Sequence, residues 1–226
     1  MPIIVKNTTF PGLFSLLAPH SCRGCGHLGE PLCDRCKNYI IKHNQNVCPI
    51  CRSKNPTGLC SNCPNSPLTF VAGNRSDLIG DLIHDLKYDS VRSLARPLAE
   101  IMNSCLPPTK KSIIIPLPTI SRHIRERGFD HTYLIAKHLA RLRPDCHVSR
   151  LLVRAKNTVQ VGSDSSTRKT QAASAYTLNP KAKIDPSATY IIFDDVWTTG
   201  ASAQTACQLL QKAGTKNIIL TILARS

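Results

Sequence analysis

The chain has 226 residues, 42% hydrophobic and 19% charged, with 29 Lys and Arg against 14 Asp and Glu and a net charge of +15. That length buries one good-sized core with room for a small module beside it. The charge favours polyanionic partners, either nucleic acid or phosphorylated small molecules. No run approaches the roughly 18 consecutive apolar residues of a membrane helix, so membrane insertion is not expected.

Taken in chain order, FPGLFSLLAP (10–19) has the look of a signal-peptide core. Pro11–Gly12 interrupts it and cysteine pairs follow at once, so it reads as a short amphipathic lead-in and the protein as cytoplasmic. Eight of the eleven cysteines then form four Cys-x-x-Cys pairs: Cys22/Cys25, Cys33/Cys36, Cys48/Cys51 and Cys60/Cys63. Such a turn points two thiolates at one tetrahedral ion, and two of them close a structural zinc site. Two similar units, CRGCGHLGEPLCDRC and CPICRSKNPTGLCSNC, make two local ribbons with two Zn2+ ions the simplest pairing. A crossed pairing, first with third and second with fourth, satisfies the same spacing. A disulfide framework would need an oxidising compartment and its signal. His20, His27 and His43 lie nearby but are not needed as ligands and read as surface residues.

PNSP (64–67) reads as a linker, dividing a double zinc-ribbon module (1–67) from a second domain (68–226). There Ile79, Leu82, Ile83 and Leu86 make one helical face, and Leu94, Leu98, Ile101 and Cys105 another. PPTKK breaks the chain before SIIIPLP (112–118), short enough for a buried parallel strand. A helix is expected over Thr132–Leu142 with Ile135, Leu139 and Leu142 inward. Residues 156–171 show neither period and read as a long loop, of the kind that serves as a lid. Cys105, Cys146 and Cys207 have no partner pattern and read as small buried hydrophobes.

The segment YIIFDDVWTTGAS (190–202) carries the most chemistry. A buried strand (190–194) runs into Asp194 and Asp195, then a loop of Thr, Gly and Ser, then a helix with Ala206, Leu209, Leu210 and Ala213 in register and Gly214 as its stop. The carboxylates can accept from two vicinal hydroxyls. The loop amides and hydroxyls can donate to a phosphate at the positive end of the helix. With NIILTILA (217–224) as a last strand, the alternation predicts an α/β fold with a parallel sheet.

That segment resembles the signature of type I phosphoribosyltransferases, which bind 5-phosphoribosyl-1-pyrophosphate (PRPP). The cysteine knuckles, LIHDLKYDS (82–90), IIPLP (114–118), RHIRERGFDHT (122–132), Gln160, Arg168 and the terminal TILAR occur in the order of a narrower group, the ComF family of competence proteins, to which most of the chain is similar. The resemblance implies a type I phosphoribosyltransferase-like sheet flanked by helices. It implies that Asp194 and Asp195 bind the ribose hydroxyls of PRPP and that Thr198, Thr199, Gly200, Ala201 and Ser202 cradle its 5-phosphate. Pro116–Thr119, with Pro118 and Thr119 at its tip, stands where these enzymes keep a pyrophosphate loop. Arg122, Arg125 and Arg127 would add charge there, and Mg2+ would arrive with the pyrophosphate. Asp130 replaces the family's usual Asn, Gln171 stands where Asn is common, and Trp197 replaces a frequent aliphatic residue.

Three uses of such a site follow. As an enzyme, the chain would transfer phosphoribosyl from PRPP to an acceptor, with Asp194 and Asp195 positioning ribose and Arg122, Arg125 and Arg127 stabilising the leaving pyrophosphate; no acceptor motif is visible. As a nucleic-acid protein, the family name implies a role in natural transformation on incoming single-stranded DNA, beside other uptake proteins such as a helicase. Between residues 120 and 170 eleven Lys and Arg face four Asp and Glu. Lys87, Tyr88, Arg122, Arg125, Arg127, Phe129, Lys156, Arg168 and Lys169 are the candidate DNA contacts, with Tyr88, Phe129 and Trp197 as stacking platforms. As a regulator, it would sense PRPP without turnover.

Overall fold

Apolar strands and one-sided helices need a common core, and here a parallel sheet supplies it. The computed structural model describes residues 20–44, 46–55, 57–155 and 176–226. The first cysteine unit folds as two short antiparallel strands, β1 (His20–Ser21) and β2 (Leu28–Gly29), followed by helix α1 (Asp34–Lys42). After the second unit come β3 (Leu68–Asn74), α2 (Leu78–Tyr88), α3 (Ala95–Cys105) and β4 (Ser112–Pro116). Then follow α4 (Ser121–Arg127), α5 (His131–Arg141), β5 (Cys146–Val148), and the antiparallel pair β6 (Leu152–Arg154) and β7 (Tyr176–Leu178). The chain ends with β8 (Thr189–Trp197), α6 (Ala201–Lys212) and β9 (Asn217–Arg225).

The sheet order is β3-β9-β8-β4-β5 and every neighbouring pair is parallel. β8 lies at its centre, and Tyr190, Ile191, Ile192 and Phe193 are fully buried. A strand covered on both faces cannot alternate polar with apolar residues, which is why it reads as a continuous run. One apolar layer joins Ile191 and Phe193 to the buried stripes of α2, α3 and α5. The other joins Tyr190 and Ile192 to Ala206, Cys207 and Leu210 of α6 and to Leu152 and Tyr176. Each fully buried aliphatic or aromatic side chain contributes about 1.5–3 kcal/mol, so these layers dominate the fold's stability.

The cysteine units pack on this core. Cys22, Leu32 and Ile40 belong to the layer of α2 and α3, and Val47 to that of α6. Lys37 donates to Glu100 at 2.6 Å and Arg23 pairs with Asp85 at 3.2 Å. No helix among the described residues is long and apolar enough to cross a membrane.

Several expectations shift. β3 was not anticipated, because both its faces are buried and Ala72 and Gly73 dilute its pattern. β8 extends to Trp197, so the strand runs past Asp194 and takes in Asp195 as well. α5 begins at His131, and Leu142, expected inward, is 41% exposed because it falls past the last helical turn. Trp197 is 5% exposed, packed in the layer of α6, and offers no stacking surface. Cys207 is buried, while Cys105 and Cys146 are half-buried against the core. The loop at 156–171, with Lys156, Gln160, Arg168, Lys169 and Gln171, lies outside the described residues, as does the segment 10–19.

Candidate functional site

In a parallel sheet, strand ends and the loops after them converge at one edge, where open α/β folds place ligands. Here the carboxyl ends of β3, β4 and β8 open into a cleft of about 510 Å³. Asp194, Asp195 and Thr198 form its floor, and Leu117, Pro118, Thr119 and Ile120 one wall. Arg75, Lys87, Arg127 and Arg154 also line it, so cations ring the acidic pair, with His123 and His131 beside them.

Asp195 is bound from three sides. Its Oδ2 accepts from His131 Nε2 at 2.8 Å and forms an ion pair with Lys87 Nζ, while Oδ1 accepts from the Val196 amide at 2.8 Å. Arg127 Nη1 donates to His131 Nδ1 at 2.8 Å. A guanidinium can only donate, so His131 is the neutral Nε2–H tautomer. Burial alone would raise Asp195, but the His131 hydrogen bond and the Lys87 charge outweigh it and hold the carboxyl well below its usual range. Asp194 moves the other way: burial and the adjacent Asp195 charge push it well above the usual carboxylate range. Its Oδ1 accepts from the Asp195 amide at 2.9 Å. The pair therefore sets one carboxylate held down beside one pushed up, both at the end of the central strand.

The loop after β8 turns tightly into α6. Gly200, at φ 81°, caps α6, and a Cβ there would lie 2.3 Å from Trp197 Nε1, so only glycine fits. Thr198, Thr199, Ala201 and Ser202 are exposed around the helix N-terminus, and Thr199 Oγ1 accepts from the Ala201 amide at 3.4 Å. The Trp197 indole N–H is buried with no hydrogen-bond partner among the described residues. Behind this loop stands the second cysteine unit: Val47 packs in the layer of Trp197, and Gln204 Nε2 donates to the Pro49 carbonyl at 3.4 Å.

The loop after β4 is held from below. Asp130 caps α5 by accepting from the Tyr133 amide at 3.2 Å, and the Thr119 and Thr132 hydroxyls donate to the same oxygen at 3.2 and 2.8 Å. Asp in place of Asn keeps this acceptor. Arg154 Nη1 reaches the Pro118 carbonyl at 3.3 Å. Burial and the nearby Asp194 push the Tyr176 phenol up.

Thus the cleft unites Asp194, Asp195, Thr198, Pro118, Thr119, Lys87, Tyr88 and Arg127. It does not gather Arg122 or Arg125: Arg122 is exposed and donates to Glu126 at 2.6 Å, and Arg125 points to solvent. Lys87 is committed to Asp195 instead of standing free for DNA. Phe129 is half-buried with the Arg92 guanidinium 4.5 Å above its ring, which leaves Tyr88, 64% exposed, as the open aromatic face at the cleft. Sequence reasoning missed Arg75, His131, Arg154 and Tyr176. His131 follows a glycine stop and an aspartate cap, a signal for helix α5 and not for a partner 64 residues on.

The cysteines gather in two local groups, Cys22/Cys25/Cys33/Cys36 and Cys48/Cys51/Cys60/Cys63, each with its sulfurs within 4.8 Å of one another. Local pairing, not crossed, is what the fold brings together. Cys25 and Cys33 sulfurs are 3.6 Å apart and Cys51 and Cys60 3.5 Å, close to the roughly 3.8 Å edge of a tetrahedron with Zn–S bonds of about 2.3 Å. The Cys33 amide donates to Cys22 Sγ and the Ile50 amide to Cys48 Sγ, both at 3.4 Å. The donor set fits Zn2+. His20, His27 and His43 are exposed and outside both groups.

No protein-family model matches the chain. Among curated proteins it is 25% identical to competence protein F of Haemophilus influenzae over 220 residues, 91% of this chain and 95% of that one. It is 24% identical to competence protein ComFC of Bacillus subtilis over 212 residues, 87% and 85% of the two chains. It is 25% identical to the DNA utilization protein YhgH of Salmonella typhi over 235 residues, 96% and 99%.

Proposed function

We infer that this chain, a member of the ComF family by its likeness to these relatives over most of its length, handles DNA taken up by the cell. In this reading it binds single-stranded DNA and keeps a sugar-phosphate site for PRPP or a related ligand. The observation that carries it is the ring of Arg75, Lys87, Arg127 and Arg154 around Asp194 and Asp195, at a sheet edge that also ends in a phosphate-sized loop.

The chemistry divides by region. The exposed hydroxyls of Thr198, Thr199 and Ser202 and the amides of the loop receive the 5-phosphate at the positive end of α6. Asp194 and Asp195 face the sugar hydroxyls. Arg127, Lys87 and the Pro118–Thr119 loop face a pyrophosphate. Asp195 already spends both oxygens on protein donors, so Mg2+ finds few protein ligands and enters on the ligand's own oxygens. A DNA strand follows the same cations outward, with Tyr88 as its stacking face.

A second reading is favoured by the cations that ring the acidic pair. With Arg75, Lys87, Arg127 and Arg154 around it, the site has charge to stabilise a leaving anion, and phosphoribosyl transfer with release of pyrophosphate is the chemistry such a site would carry.

Electrophoretic shift of a single-stranded oligonucleotide at several salt concentrations, with and without PRPP, tests the first reading. Binding should weaken steeply with salt; salt-independent binding, or none, contradicts it. Isotope exchange between pyrophosphate and PRPP tests the second.

A further inference from the structure

The cations of helix α1, in the first cysteine unit, divide by face. Lys37 is spent on acids, 2.8 Å from Asp34 and 2.6 Å from Glu100 of α3. Arg35, Asn38, Tyr39 and Lys42 recur at i, i+3, i+4 and i+7, one stripe of the helix, and all four are exposed. Neither Arg35 nor Lys42 has an ion-pair partner among the described residues. Ile40, by contrast, is buried in the layer of α2 and α3.

Tyr39 keeps 61% of its surface in solvent, and its ring is held in a set position. The His43 ring lies against it, with centres 4.2 Å apart and planes 30° from parallel. His43 Nδ1 donates to the Tyr39 carbonyl at 2.8 Å; a carbonyl only accepts, so this nitrogen carries the hydrogen. The pair is thus an open aromatic platform, preset by the backbone of α1. Cys36 of the first cysteine group lies in the same helix, so the group that suits Zn2+ also sets the element that presents the rings.

Free cations flanking a preset aromatic face fit one class of partner. An acidic peptide would use the cations and leave the rings idle. A nucleic-acid strand uses both, since every nucleotide carries a phosphate and every base a π-face. Asn38 can both donate to and accept from a base edge. Bases in a duplex are already stacked on one another, which leaves the single strand.

We propose that the outer face of α1 is a second contact surface for single-stranded nucleic acid, apart from the cleft, with Tyr39 backed by His43 as its stacking platform and Arg35 and Lys42 as its phosphate contacts. This rests on the single-strand reading and adds to it a place where a longer strand is gripped. The first cysteine unit stands on the helix that also serves the cleft: Arg23 pairs with Asp85 of α2, two residues before Lys87.

Fluorescence anisotropy with thymidylate strands of roughly 4 and about 20 nucleotides, shorter and longer than a typical single-strand site, tests the surface. The long strand should bind the native chain more tightly than the short one. Tyr39→Ala should lose about tenfold on the long strand, within what one stacked base supplies, and stay within about twofold on the short one. Stacking releases no counterions, so the slope of log K against log salt for the long strand should not change in that variant. Tyr39→Phe should bind as the native chain does, and Arg35→Ala/Lys42→Ala should lower the slope for the long strand. Zinc content and urea midpoint check the fold of each variant. A Tyr39→Ala chain that holds the long strand as tightly as the native one overturns the α1 surface and leaves the cleft reading standing. Equal loss on both lengths does the same. If the native chain binds neither strand, the single-strand reading falls and this surface with it.

Discussion

His131 donates its Nε2–H to Asp195 Oδ2 across 2.8 Å, fixed in that tautomer by Arg127 on its other nitrogen. The bond ties the first turn of α5 to the end of the central strand, and Lys87 adds the last turn of α2 to the same oxygen. Three elements distant in sequence are thus fastened at one carboxylate beneath the cleft. Removing one partner of a buried ion pair leaves the other uncompensated, which costs about 3–5 kcal/mol. Lys87→Met should therefore lower the unfolding free energy in urea by about 3 kcal/mol, and His131→Ala by about 2 kcal/mol for a lost hydrogen bond to a charged group.

The acidic pair gives opposite pH signatures. Asp194, raised by burial and its neighbour's charge, stabilises the fold fully below its unfolded value of about 4 and loses that contribution as pH rises through its folded value. Asp195, lowered by His131 and Lys87 against its burial, contributes above about pH 4 and loses its share as pH falls through its folded value. Asp194→Asn should accordingly raise the urea midpoint at pH 7 and gain less near pH 4. Asp195→Asn should lower the midpoint at pH 7. Midpoints collected from pH 4 to 8 check both signs.

Sequence and fold agree best where a pattern is local. The four Cys-x-x-Cys pairs, the stripe Ile79, Leu82, Ile83 and Leu86, and the run at 190–193 each state their environment within a few residues. The cleft was half legible for the same reason: Asp194, Asp195 and the Thr-Gly loop are contiguous, whereas Arg75, His131 and Arg154 enter it from separate elements. Arg75 was out of reach once β3 was missed, since it occupies the turn that strand leads into. Net charge pointed to an anion but did not separate Arg127, which faces the cleft, from Arg122, which pairs with Glu126 on the surface.

The second cysteine group stands beside the loop after β8: Val47 shares the buried layer of Trp197, and Pro49 accepts from Gln204 of α6. Two zinc ions per chain are expected by atomic absorption. Structural zinc contributes about 10–16 kcal/mol in small finger peptides, so a strong chelator should unfold both cysteine units. Cys48→Ser should weaken ribose 5-phosphate binding severalfold and shift the emission of Trp197, the chain's one tryptophan, which packs against Val47's layer.

Binding to single-stranded DNA should depend on cleft cations more than on exposed ones. Each phosphate contact removed should lower the slope of log K against log salt by about 0.7. Arg127→Ala and Arg154→Ala should each do so, and Arg122→Ala, already paired with Glu126, should not. Filter binding across salt concentrations measures the slopes.

The central claim is that the acidic pair and the Thr198–Ser202 loop form one sugar-phosphate site. Calorimetric titration of PRPP with magnesium into the native protein and into Asp194→Ala/Asp195→Ala tests it most directly. The native chain should bind saturably and one-to-one, and the double variant should lose that binding while still unfolding cooperatively. Equal binding by both proteins, or no binding by the native one, would contradict it.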